Sequence, residues 1–207
     1  MNALTSLRGP LATALIALVL TAGCGGDDRQ SGSSPEVRAN GTDVGFVNAM
    51  IPHHEAAVDA ADLALSRAEH RPLERLAEGI VQSQSAELST LRTVSDLVQE
   101  AGVEEGDLGL SEAEQGMDHD PAALRNADDF DCAFSALMIP HHEGAIRMAR
   151  AELKSGIHAE LRRMSGDIID QQVYEIRQMR RYQDGWCRGS AAGSQGSHTA
   201  GSDGQAG

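Results

Sequence analysis

Apolar side chains recur along this chain in two stretches of the same design. In the first, Phe46, Met50, Ala57, Ala61 and Leu65 follow the 3.6-residue period of an amphipathic helix. Residues 67–72 interrupt the pattern, and Pro72 suits the first turn of a new helix, where its missing N–H is no loss. Leu73, Leu76, Ala77, Ile80, Leu88, Leu91 and Val94 or Val98 then continue the stripe. In the second stretch the interruption is Lys154-Ser155-Gly156, with Gly156 placed as a C-terminal cap. A last helix is expected from about residue 158 to 183. Each stretch therefore predicts a helical hairpin.

The two hairpins are copies of one another. Residues 43–58 read DVGFVNAMIPHHEAAV and residues 131–146 read DCAFSALMIPHHEGAI, offset by 88, with nine of sixteen positions identical. The register holds without a gap: His70 matches His158, Arg75 matches Arg163, Gln84 matches Gln172, Glu87 matches Glu175 and Leu91 matches Met179. Four helices of roughly 20–27 residues in two repeats predict an all-α four-helix bundle with pseudo-twofold symmetry. The repeats span 43–100 and 131–188, joined by a linker over 101–130 that holds candidate short helices near 111–115 and 121–127. Pro52 and Pro140 fall inside the first helix of each repeat, where proline deletes a hydrogen bond. They predict either a new helix start or a kink that aims the histidines that follow.

Both ends of the chain differ from this core. Arg8 precedes an apolar run over residues 11–20, too short for a membrane span of about 20 residues, and the run leads to Leu20-Thr21-Ala22-Gly23-Cys24. Residues 1–23 thus resemble a lipoprotein signal peptide, with Cys24 as the acylated first residue of the mature chain. Residues 24–42 are rich in Gly, Ser, Asp and Asn and predict a flexible tether; residues 189–207 predict a disordered Gly/Ser tail. The expected location is the outer face of the cytoplasmic membrane, held by lipid. The folded part is then a single bundle over 43–188.

Composition narrows the function classes. The formal net charge is −14, with 17 basic against 31 acidic residues, which argues against nucleic acid as a partner. Aromatic residues make up only 3%, too few for base-stacking platforms or for most β-barrels. Hydrolase, nucleotide and dinucleotide motifs are absent from the sequence, so no enzymatic activity is expected.

The candidate chemistry lies in the doubled Met-Ile-Pro-His-His-Glu. Met50 stands three and four residues before His53 and His54, so thioether and imidazoles share one helix side; Met138, His141 and His142 repeat this, and Met148 extends it. Imidazole suits copper and zinc, and thioether favours Cu(I). The expected cargo is copper, with no organic cofactor. The alternative is a metal-free structural or interaction bundle. Its histidines would pair with Glu87, Gln84, Glu175 and Gln172 in a buried polar network; the same groups could instead orient metal-bound imidazoles. A di-iron site needs Glu three residues before His, and no His here has one. His70 and His158 are read as helix-end residues, and Met117-Asp118-His119-Asp120 as a weaker metal patch.

With Cys24 acylated, Cys132 and Cys187 remain, near the start of the third long helix and the end of the fourth. These ends are neighbours in an antiparallel hairpin, so a disulfide is expected, with a pair of copper thiolates as the rival reading.

The doubled motif, Ala145-Ile146-x-Met148-Ala149 and the later Ile168-x-x-x-Gln172-x-x-Glu175-Ile176 resemble the family known as domain of unknown function 305, over about residues 43–186. The resemblance implies an exported, ferritin-like four-helix protein associated with copper. It points to Met50, His53, His54, Met138, His141, His142 and Met148. Ala60 stands where the second copy has Met148, which predicts unequal half-sites.

Overall fold

The computed structural model describes residues 37–118 and 121–187. Residues 1–36, with Cys24 and most of the expected tether, lie outside the described residues, as do His119, Asp120 and the tail. Five helices follow in order: α1 (Gly41–Arg67), α2 (Arg71–Glu100), a short α3 (Pro121–Arg125), α4 (Phe130–Ser155) and α5 (Ala159–Trp186). No strand occurs among the described residues. The four long helices form two antiparallel hairpins, α1/α2 and α4/α5, joined mainly through α1 against α4.

The first helix starts earlier than its apolar pattern. Asn40 accepts hydrogen bonds from the N–H groups of Thr42 and Asp43, and Asp43 accepts one from Asn40 N–H at 2.6 Å, a reciprocal capping box. Polar capping residues rather than hydrophobic ones set this boundary, so the expected tether ends before residue 42. The 111–115 stretch forms turns, not a helix, while α3 fills the second expected position. Both prolines sit inside uninterrupted helices, so neither begins a new one. Each is exposed, which lets water reach the carbonyl that loses its donor.

Gly156 ends α4 with an extended backbone (φ −70°, ψ 153°) instead of the left-handed turn of a glycine cap. Its role is steric: a β-carbon there would overlap the Glu152 carboxyl, which is buried against the Gly156 backbone.

Two buried aspartates dock the hairpins. Asp43, at the start of α1, accepts the N–H groups of Ile157 (3.0 Å) and His158 (2.9 Å) from the α4–α5 turn. Asp131, at the start of α4, accepts those of Glu69 (3.0 Å) and His70 (2.9 Å) from the α1–α2 turn. Each repeat thus satisfies the backbone donors of the other's turn, which sets α1 and α4 antiparallel and explains the aspartate at both positions.

Two apolar clusters fill the interior. One gathers Ala57, Ala61, Leu73, Ile80, Phe130, Phe134, Met138 and Met179. The other gathers Val47, Met50, Leu91, Val94, Ala145, Met148, Leu161, Met164 and Ile168. Cys132 and Cys187 form a disulfide with Cα atoms 5.6 Å apart, stapling α4 to the end of α5. Beside it, Trp186 stacks on His70 (centroids 3.9 Å) and on Tyr182 (4.3 Å).

Candidate metal centre

The repeated His pairs meet at the middle of the bundle, where α1 and α4 cross. His53, His54 and His142 are fully buried and His141 is 1% exposed. The His53 and His141 rings lie 3.6 Å apart between centroids. Within each pair the rings stand 6.2 Å apart, at 55° and 53°, so the pseudo-twofold relation extends to the side chains.

Hydrogen bonds define which ring nitrogens carry the proton. His54 Nε2–H donates to Glu87 Oε2 at 2.8 Å, and His142 Nε2–H donates to Glu175 Oε2 at 2.8 Å. His53 Nε2–H donates to the His141 carbonyl at 3.0 Å. A neutral imidazole with its proton on Nε2 carries a lone pair on Nδ1. The Nδ1 atoms of His53, His54 and His142 are buried and have no protein partner. Burial, reinforced by the neighbouring His54 and His142, holds His53 well below the usual imidazole range. Its ring therefore stays neutral near pH 7, the form that ligates metal.

Around the imidazoles lie further polar groups. Gln84 and Gln172, one turn before Glu87 and Glu175, are 2% exposed with both amide atoms unpaired within the protein. The linker forms a strap over α4: Arg147 Nε donates to Glu114 O, and Gly144 lacks the β-carbon that would collide with the Gln115 carbonyl. His70 and His158 are the N-caps of α2 and α5, outside the centre.

The thioethers are divided. Met50 and Met148 belong to one apolar cluster and Met138 to the other, on opposite sides of the imidazole layer along the bundle. The structure brings the imidazoles together but does not gather all three methionines with them. Met179 joins Met138 in its cluster and is fully buried. The signal for it lay in the helix register: if His142 faces Glu175, then Met138, one turn earlier, faces Met179, one turn later. Met164 likewise joins Met50 and Met148. No three His, Cys, Asp or Glu side chains converge on a metal-sized position among the described residues. Coordination here would draw on imidazole and thioether, a donor set that fits soft Cu(I).

The sequence profile of one family, domain of unknown function (DUF305), matches residues 43–183. The chain belongs to this family. Among solved structures, CopM in the Cu(I)-bound form is 33% identical, with a TM-score of 0.59 over 70% of this chain and 96% of CopM. CopM in the Cu(II)-bound form gives 33% identity and 0.59 over 70% of this chain and 97% of CopM. A DUF305 fragment from Deinococcus radiodurans is 28% identical, with a TM-score of 0.58 over 70% of this chain and 97% of the fragment. No curated protein matches the chain. The family match and these neighbours agree with the all-α expectation, and CopM is a neighbour solved with copper bound.

Proposed function

We propose that this DUF305 protein binds copper as Cu(I) and serves to sequester it or hand it on, without turnover. The observation that carries this reading is the set of buried Nδ1 atoms on His53, His54 and His142, whose rings are already oriented by Glu87, Glu175 and the His141 carbonyl. A buried polar atom left unpaired costs about 1–3 kcal/mol, so three such atoms in one layer are expensive for packing alone. The likeness to CopM, solved with Cu(I) and Cu(II), supports the same cargo.

In this reading His53, His54, His141 and His142 supply imidazole nitrogens, and Met50, Met138 and Met148 supply sulfur, joined by Met179. Glu87 and Glu175 fix the ring tautomers. The bundle excludes water from the cargo. Acylation of Cys24 would hold the protein at the outer face of the cytoplasmic membrane; among the described residues no helix is long and apolar enough to cross a membrane.

The two His–Glu bonds also favour a second reading, a metal-free polar layer that fixes the packing of the bundle. One variant separates them. Replacing His53, His54, His141 and His142 by Ala abolishes tight Cu(I) binding in a competition titration if the layer is a metal site. A folded variant that keeps wild-type affinity refutes the assignment.

A further inference from the structure

The two hairpins share a frame but present opposite charge on one matching face. In each, an arginine of the second helix pairs with a glutamate of the first: Arg92 with Glu55 at 2.6 Å and Arg180 with Glu143 at 2.7 Å. Beyond this shared pair the faces diverge. Asp59, Asp62, Ser66 and Ser89 on the first hairpin stand where the second has Arg147, Arg150, Lys154 and Arg177.

On the second hairpin Arg147, Arg150 and Arg177, with the Arg180–Glu143 pair, rim a cleft of about 430 Å³ between α4 and α5, floored by Ile146, Val173 and Ile176; Lys154 lies one turn beyond Arg150 on α4. Arg147 is engaged by the strap. Arg150, Lys154 and Arg177 are exposed and make no ion pair or side-chain hydrogen bond among the described residues. In a chain with 31 acids and 17 bases, three neighbouring cations without an acid are a departure from its general balance. The basic stripe also runs towards the place where the chain enters the domain. Asn40 Nδ2 donates to Ser155 O, so residue 40 meets the end of α4, next to Lys154 and about 8 Å along the helix from Arg150. Arg38, exposed and likewise without an ion pair, precedes this contact. Of the strap's acids, Glu104 lies near Gly41, and Glu105 and Glu112 face α1 beside Gly45 and Ala49; Glu114 lies beside Arg147, which is why the free charge of this face is carried by Arg150, Lys154 and Arg177.

We propose that this basic α4/α5 face docks on the phosphate groups of an anionic phospholipid surface. The proposal rests on the anchored reading of Cys24, which places a membrane within reach of the N-terminal tether. An acidic domain held near anionic lipid is repelled by it; a basic face beside the tether turns that side inward. The arginines meet phosphate oxygens as forked donors, and the apolar floor accepts the edge of the acyl region. The acidic face of the first hairpin is then left to water.

Vesicle partition of the full chain, unacylated and with a metal chelator present, tests this independently of copper and of acylation. Vesicles of phosphatidylcholine alone are compared with a phosphatidylcholine–phosphatidylglycerol mixture. The signal segment contributes to both, so the difference reads the basic face. Expected is a preference for the anionic vesicles that is lost at high salt and falls about fivefold for each base removed in the series Arg150→Ser, Lys154→Ser and Arg177→Ser. Asp59→Ser with Asp62→Ser on the matching face does not reduce it. Equal partition between the vesicles, or a preference kept by the triple variant, overturns the proposal. So does full competition by inorganic phosphate, which marks a free-anion pocket. Self-association that the triple variant abolishes, with no vesicle preference, overturns it in favour of a contact between copies. The anchor is read separately, by membrane fractionation of cells carrying Cys24→Ser.

Discussion

Asp43 and Glu152 bring two carboxyl groups together inside the domain. Asp43 accepts the N–H groups of Asn40, Ile157 and His158, and Glu152, fully buried against it, holds its proton at neutral pH. Burial first, and Asp43 next, raise Glu152 to about 8. Ala64 is its counterpart in the first repeat, so this pair exists at one end of the bundle only.

That pair predicts an inverted pH dependence. The folded pKa of Glu152 lies above its unfolded value of 4.5, so its contribution is fully present below pH 4.5 and is lost as pH rises through about 8. Wild type should lose stability across this window, on the order of a few kcal/mol. Glu152→Gln should flatten the curve and exceed wild type at pH 9. Urea unfolding at several pH values measures this; a wild-type curve that rises between pH 5 and 8 in step with the variant refutes it.

Glu87→Gln and Glu175→Gln keep shape while weakening the acceptor on each Nε2–H. Cu(I) affinity is expected to fall about 10- to 100-fold for each. The metal-free fold should be retained, as judged by helical circular dichroism. An unchanged affinity would show that the His–Glu bonds serve packing only.

Met179→Leu converts the second half of the core to the residue that Leu91 provides in the first. Volume is conserved, so stability should change by less than about 1.5 kcal/mol. Cu(I) binding should weaken, with Cu(II) binding little affected, because thioether prefers the softer ion. Titrations with both ions decide it.

Replacing Cys132 and Cys187 by Ala removes a cross-link over a sequence separation of 55. The chain-entropy relation gives a loss of about 4 kcal/mol. Because Trp186 precedes Cys187 and stacks on His70, Trp fluorescence should change in the native state as well. Thermal unfolding of oxidised and reduced protein gives the first quantity, and native emission the second.

The helical periods and the motif Met-Ile-Pro-His-His-Glu are legible in the chain because each is a relation between residues three, four or seven apart on one helix, and the 88-residue repeat is legible because its two copies keep one register without a gap. They determined the four helices, the pairing of two hairpins and the burial of the histidines. The Glu87 and Glu175 partners were legible too, since the repeat held them in register. What only the tertiary structure decided concerns contacts between helices. Asp43 and Asp131 look like ordinary first-turn acids until each is found capping the other repeat's turn. The division of Met50 from Met138 follows from the antiparallel crossing of α1 and α4, which sends equivalent residues to opposite sides of the histidine layer. The proton on Glu152 has the same origin. A carboxyl on α4 reads as a solvated charge in sequence, and becomes a buried acid only because the start of α1 packs over it and removes its water.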